Sequence, residues 1–171
     1  LLCMWSSSTS VPLSGIIQAA GGGLWYNGSG TYSPNDTTMN AVYTPSASEI
    51  AAGFAHLYLV TTHNLGCPAD TDDVMITISQ NPTPSIAGNL NVCAGNITVY
   101  TAPLAAGITY SWNVTGGTIL TSSVNAATIQ WGAAGSGTVT LTETNTATCD
   151  STVSINVTIN PMPAPAITGT M

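Results

Sequence analysis

Asp150-Ser-Thr-Val-Ser-Ile-Asn-Val-Thr-Ile-Asn160 sets Val153, Ile155, Val157 and Ile159 against Thr152, Ser154, Asn156 and Thr158. Just upstream, Val139 and Leu141 alternate with Thr138, Thr140 and Thr142. Successive side chains of a strand point to opposite faces, so period-two alternation puts one face in a core and the other in water. β-Branched residues suit that pleated, half-buried surface. Val74, Ile76 and Ile78 alternate with Met75 and Thr77 in the same way. These stretches read as half-buried antiparallel strands. No long helical stripe interrupts them. The one helical signal is Ser46-Ala-Ser-Glu49 followed by Ile-Ala-Ala-Gly53. There Ser46 can cap, Glu49 can reach back and Gly53 can stop the helix, which predicts one or two turns between strands. The fold class is therefore all-β.

Outside these strands, composition excludes whole classes of function. The 171 residues contain no Lys or Arg, seven acids and two His, for a net charge of −7 at pH 7. Without cations nothing can neutralise phosphates, so nucleic-acid binding is excluded as a reading. P-loop chemistry, Schiff-base lysines and arginine clamps go with it, as does attraction to an anionic membrane. With 44% apolar residues, the chain is not a disordered acidic tail. No apolar run approaches the ~20 residues of a membrane span. Leu1-Leu2-Cys3 lacks the basic and apolar regions of a lipoprotein signal. With no initial Met and a proline-rich end, the sequence reads as a piece of a longer polypeptide.

Proline marks the internal boundaries. Gln80-Asn-Pro-Thr-Pro84 and Asn160-Pro-Met-Pro-Ala-Pro165 each follow an alternating strand. Pro84-Ser-Ile-Ala-Gly88 matches Pro165-Ala-Ile-Thr-Gly169 at a spacing of 81, an internal repeat that predicts a further module. The expected organisation is a sandwich over 1–80, a linker at 81–84, a second sandwich over 85–160, and a linker with the start of another repeat over 161–171. Short Pro-rich linkers are stiff, so modules are expected end to end.

Four cysteines, Cys3, Cys67, Cys93 and Cys149, include no C-x-x-C pair, which argues against zinc. The simplest pairing is one bridge per half, Cys3–Cys67 and Cys93–Cys149, closing loops of 64 and 56 residues. Each bridge would contribute roughly 4 kcal/mol in a chain-entropy model, a useful margin for an 80-residue domain. Four reduced, buried thiols are the alternative. Each half also places a Trp, Trp25 or Trp112, about 20 residues after its first Cys. Paired sheets, a buried Trp and an inter-sheet bridge are features of an immunoglobulin-like sandwich. Trp25, Trp112 and Trp131 are the expected core tryptophans.

A family resemblance rests on specific motifs. In the second half these are Asn91-Val-Cys-Ala-Gly95, Ile108-Thr-Tyr-Ser-Trp-Asn-Val-Thr-Gly-Gly117, Ile129-Gln-Trp-Gly132 and Gly137–Asn145 with Cys149. Together they resemble the PKD-like repeat of large Bacteroidota surface proteins. Gly28-Ser-Gly-Thr-Tyr-Ser-Pro-Asn-Asp-Thr-Thr-Met-Asn40 and Tyr43–Gly53 resemble the neighbouring Ig-like repeat, as in SprB-like gliding adhesins. The resemblance implies tandem Ig-like (PKD-like) antiparallel sandwiches in a type IX-secreted bacterial surface adhesin, with no enzymatic site in the repeats. One stretch departs from that repeat type, where the strand after Gly53 usually alternates aliphatic with Thr or Ser. Here Phe54-Ala-His-Leu-Tyr-Leu-Val60 would bury Ala55, Leu57 and Leu59 and leave Phe54, His56 and Tyr58 outside. Such a stripe is a candidate contact surface between modules or filaments; a phase flip or a covering loop is the plainer reading.

Other candidates carry weaker chemistry. Asp70, Asp72 and Asp73 form the only acid cluster, a candidate partial calcium set without EF-hand spacing, with a solvated turn as the plainer alternative. His56 and His63 have opposite parity, which argues against a metal pair. Glu49 and Glu143 could act as paired carboxylates only by coincidence of folding, and no other catalytic set is visible. Asp36-Thr-Thr38 and Asp150-Ser-Thr152 look like the Bacteroidota O-glycosylation pattern, with Thr37 and Ser151 as acceptors. N-glycan triplets occur at Asn27, Asn35, Asn96, Asn113 and Asn156.

The resulting expectation is a non-catalytic, extracellular, disulfide-stapled stalk without cofactor, calcium aside. Its partners would be neighbouring repeats or filament subunits, with surface glycans a further class. Three rivals stand beside it: a self-assembling fibre or sheath subunit, a carbohydrate-binding module using Tyr26/Tyr32 or Phe54/Tyr58, and a non-catalytic domain of a secreted hydrolase.

Overall fold

A computed structural model describes residues 2–4 and 10–169, and the chain divides into two compact units, Leu1–Asn81 and Pro82–Met171. In the first unit, β1 (Leu2–Met4), β3 (Gly22–Tyr26), β6 (Phe54–Thr62) and β7 (Thr71–Gln80) form a four-stranded sheet in the order β1-β7-β6-β3. A three-stranded sheet faces it, ordered β2-β5-β4 from β2 (Val11–Pro12), β4 (Thr31–Ser33) and β5 (Val42–Thr44). The helix α1 (Ala47–Ala52) joins β5 to β6.

The second unit repeats this plan. Its larger sheet runs β10-β13-β14-β8, from β8 (Asn91–Cys93), β10 (Ile108–Thr115), β13 (Gly135–Asn145) and β14 (Asp150–Asn160). The smaller runs β11-β12-β9, from β9 (Ile97–Thr101), β11 (Gly117–Ser123) and β12 (Ala126–Trp131). In both units the first strand lies parallel to the end of the last: Cys3 beside Ser79, Cys93 beside Asn160. All other pairings are antiparallel among the described residues. Both units are immunoglobulin-like sandwiches of four strands on three.

The alternation that identifies the strands also builds the cores. Val139 and Leu141 of β13 and Val157 and Ile159 of β14 point inward with Tyr100, Ile129 and Trp131. Trp131 donates its indole N–H to Thr98 Oγ1 at 2.8 Å and meets the Tyr100 ring edge-on at 6.0 Å. A T-shaped pair of this kind adds about 1 kcal/mol to what burial supplies. Trp112 is half-buried and packs against this core. In the first unit, Trp25, Tyr43, Leu57, Ile76 and Ile78 form the equivalent cluster.

Local chemistry fixes α1. Ser46 Oγ accepts from the Glu49 N–H, and the Glu49 carboxylate accepts from the Ser46 N–H. Gly53 closes the helix at φ 82°, a left-handed conformation that a Cβ would strain. Glu49 does more than cap. It accepts from the Tyr43 hydroxyl at 2.7 Å and from the Ser29 N–H at 3.1 Å. Tyr43 Oη in turn accepts from the Gly30 N–H at 2.8 Å. A side chain at Gly30 would run into the Thr44 carbonyl, so the turn before β4 can press against Tyr43 only with glycine there. Burial alone would raise the Glu49 carboxyl, but hydrogen bonds from Ser46, Tyr43 and Ser29 outweigh it and hold it below the usual value. Burial, then the Glu49 contact, pushes the Tyr43 hydroxyl well above its ordinary range.

The cysteines correct the expected pairing. Cys67 and Cys93 are free thiols, whereas Cys3 and Cys149 are disulfide-bonded. Strand direction explains why neither within-unit bridge forms. Cys93 lies beside Asn160, at the end of β14, while Cys149 immediately precedes its start. Ten residues of strand separate those ends by about 33 Å, against the ~7 Å limit for bridged Cα atoms. Likewise Cys3 lies beside Ser79, while Cys67 sits in the loop before Thr71, about 27 Å back along β7.

Candidate contact surface

The outer face of the larger sheet in the first unit carries the aromatic side chains. Along β6, Ala55, Leu57 and Leu59 are buried, so Phe54, His56 and Tyr58 project the other way. Phe54 is 47% exposed. β3 places Tyr26 directly opposite Tyr58, and the two rings stack at 5.3 Å with 24° between planes. His56 packs against Tyr58 at 4.6 Å, with 36° between planes. From β7, Asp73 Oδ2 reaches His56 Nε2 at 2.7 Å, diagonally across the ladder. Met75, 60% exposed, lies opposite His56. Asn27 Nδ2 donates to the His56 carbonyl at 3.0 Å, tying the end of β3 to β6. The surface is a stacked Tyr26–Tyr58 pair with the tilted His56 ring against it, bordered by Phe54, Met75 and one carboxylate. It offers apolar area and one histidine–carboxylate hydrogen bond.

The other candidates separate. Adjacent positions on a strand face opposite ways, so β7 sends Asp72 and Asp73 to different faces. Asp73 is engaged with His56, while Asp70 and Asp72 accept from the N–H groups of Thr71 and Asp73. Among the described residues, no group of three or more His, Cys, Asp or Glu is arranged to hold a metal. Asp70, Asp72 and Asp73 all border a cleft of about 610 Å³ beside Trp25, Leu59 and the Ser14–Gln18 segment. His63 lies in the loop after β6, beside Thr62.

Tyr32 meets Tyr26 through its hydroxyl, which donates to the Tyr26 carbonyl at 3.5 Å. It lies on β4 in the smaller sheet and packs on Tyr43 at 4.8 Å, toward the core. Of the two aromatic sets proposed for sugars, Phe54/Tyr58 alone is on one outer face. Thr37 is exposed and donates to Asn35 Oδ1 at 2.8 Å. Ser151 is 4% exposed, on the inward side of β14, which removes it as a glycan acceptor in the folded protein. Glu143 also points inward, from β13, and burial pushes its carboxyl up. Glu49 is committed to the α1 cap in the first unit, so the two carboxylates have separate structural surroundings.

Two features escaped sequence reasoning: the Tyr26–Tyr58 stack and the His56–Asp73 pair. Both depend on cross-strand register between residues 32 and 17 positions apart. The only sequence signal was a bulky aromatic at each outward position.

Comparison with known proteins adds the following. The family model described as "PKD-like domain" matches residues 79–159. No curated protein matches the chain. Among solved structures, a protocadherin gammaB7 EC3-6 cis-dimer is 10% identical, covering 89% of this chain and 43% of that one, with a TM-score of 0.39. Murine CEACAM1b is 13% identical over 86% of this chain and 88% of that one, with a TM-score of 0.39. Fibronectin(III)-like modules of Clostridium thermocellum CbhA are 12% identical over 94% and 100%, with a TM-score of 0.37. The chain spans less than half the length of the protocadherin. Strand order shows an immunoglobulin-like sandwich in each unit, and the second is similar over residues 79–159 to the family described as a PKD-like domain.

Proposed function

We propose that this chain is a non-catalytic structural segment of a secreted cell-surface adhesin or filament, of the kind that serves bacterial adhesion or gliding. The observation that carries this reading is the repetition itself. Two units of low sequence likeness share one strand order, joined by Asn81-Pro-Thr-Pro84, and a second Pro-rich stretch follows at residue 161. Repetition of one plan suits a molecule whose task is length. Proline at each junction limits bending. A free Cys67 and Cys93 mean that stiffness would come from the sheets and the linkers, not from one bridge inside each unit. No helix among the described residues is long and apolar enough to cross a membrane.

The test is to delete one two-unit block from the parent protein and measure reach and ligand binding on intact cells. The proposal expects shorter reach with ligand affinity unchanged. Loss of a specific affinity would contradict it. A second reading, carbohydrate binding, draws on the exposed Phe54/Tyr58 surface, and binding of the isolated chain on a glycan array would favour it.

A further inference from the structure

The larger sheet of the second unit ends in an open strand. β10 pairs with β13 on one side and occupies the end of its sheet. The direction of its free hydrogen-bonding groups follows from the hairpin. The Asn145 N–H donates to the Cys149 carbonyl, on the β14 side of β13. Main-chain groups alternate sides along an antiparallel strand. Odd-numbered residues of β13 therefore bond to β14, and even-numbered residues bond to β10. Their partners on β10 are Thr109, Ser111, Asn113 and Thr115. The N–H and C=O groups of Ile108, Tyr110, Trp112 and Val114 consequently point off the edge of the sheet. Among the described residues, no backbone group is bonded to them.

The same reasoning applied to the first unit gives a different edge. The Thr61 N–H donates to the Asp70 carbonyl, so β3 sends the main chain of Gly23 and Trp25 outward. There the Trp25 N–H is taken by the Asp36 carbonyl at 2.8 Å. The segment after β4 thus closes the edge. Trp112 occupies the equivalent position on the equivalent strand. In its unit the connection after β11, the equivalent of β4, shrinks from the eight residues 34–41 to the two residues Val124 and Asn125.

Exposed edges are commonly guarded by charge, proline, a bulge or short length. Ile108-Thr-Tyr-Ser-Trp-Asn-Val-Thr115 has no charge and no proline, and its register with β13 is unbroken over eight residues. β11, the edge of the smaller sheet, is broken by an irregularity between Ile119 and Thr121. The outer side of β14 begins at the charged Asp150 and is occupied at its end by β8.

We propose that β10 pairs antiparallel with β10 of a second copy of this chain, joining two larger sheets through their open edges. Charge selects this occupant. β10 offers no carboxylate to a basic peptide and no cation to an acidic one, whereas a second β10 is equally neutral. The two acids of the second unit, Glu143 and Asp150, are both off this strand. The strand also matches itself. Centred on Ser111, the pairing sets Tyr110 opposite Trp112 of the second copy and Ile108 opposite Val114, so all four edge-facing residues find partners. Such a contact is two-fold and closes at a dimer.

Sedimentation equilibrium of the 171-residue chain, with hydrogen exchange at the same concentrations, tests this. The expected result is a concentration-dependent dimer in which the amides of Tyr110, Trp112 and Val114 gain protection. Ser111 would lie opposite its own copy, so Ser111→Lys and Ser111→Glu should each weaken the dimer by about tenfold or more through like charges directly opposed. Mixing the two variants should restore it. Thr77→Lys, on the outer face of the first unit, should leave it unchanged. A chain that stays monomeric at millimolar concentration would overturn the proposal. So would open-ended polymer, or a dimer insensitive to both Ser111 variants.

Discussion

Trp25 and Trp112 occupy equivalent strands of two sandwiches with the same order, yet their main chains meet different surroundings. The Trp25 N–H is bonded to Asp36 across the edge of its sheet, while the Trp112 N–H faces outward with no backbone partner among the described residues. The difference lies in the connection after the next strand, β4 in the first unit and β11 in the second. In the first unit, a long segment after β4 returns to close the edge, and the aromatic side chains are moved to the sheet's outer face. In the second, only Val124 and Asn125 separate β11 from β12, and the edge stays open. Strand order can be shared between repeats whose free surfaces are finished in different ways.

Four perturbations would break or sharpen this comparison. The largest effect is expected from the core tryptophans. Trp131→Ala should destabilise the second unit by about 4 kcal/mol, through lost burial, the cavity and an orphaned Thr98 hydroxyl. In calorimetry this should lower the transition of the second unit more than that of the first. Trp25→Ala should do the reverse.

Next is Glu49. Glu49→Ala removes the acceptor of Ser46, Ser29 and Tyr43 together, and should cost the first unit about 2 kcal/mol. Chemical denaturation followed by a reporter in each unit should show a shift in the first alone.

Acid gives a smaller effect of opposite sign in the two units. Glu49 is held below the ordinary carboxylate value, so its contribution is complete above about pH 4.3 and is lost as pH falls through its depressed folded value. Glu143 is raised by burial, so the folded second unit holds that proton more tightly. Its stability is greatest below about pH 4.3 and declines as pH rises through the raised folded value. Thermal melts over roughly pH 3–7 should therefore show the Glu49→Gln penalty shrinking with acid. The Glu143→Gln gain should shrink with acid too.

The smallest effect concerns the thiols. Cys67 is exposed and free, so Cys67→Ser should change stability by less than about 0.5 kcal/mol. Mass spectrometry after alkylation of the denatured, unreduced chain should find Cys67 and Cys93 modified and Cys3 and Cys149 protected.

Much of the fold was legible because its signals are local. Thr152–Ile159 and Val74–Ile78 announce strands by alternation alone, and Ser46, Glu49 and Gly53 mark both ends of α1. The outward placement of Phe54, His56 and Tyr58 follows from the same parity. Features that depend on register were not legible. Sequence spacing places two cysteines in each half but does not show that the first strand runs parallel to the end of the last, which carries Cys3 and Cys93 away from the expected partners. Nor does the Asp70–Asp73 run show which carboxylate reaches His56. Ser151 looked like a glycan acceptor from its neighbours, yet the alternation of its own strand turns it inward.

Amide hydrogen exchange at Trp25 and Trp112, in dilute solution where the chain is monomeric, tests the contrast between the two edges most directly. The Trp25 amide should be strongly protected by Asp36, and the Trp112 amide should exchange far faster than its β10 neighbours Ser111 and Asn113, which bond to β13. Equal protection at the two tryptophans would mean that the second unit closes its edge as the first does, and would contradict the account.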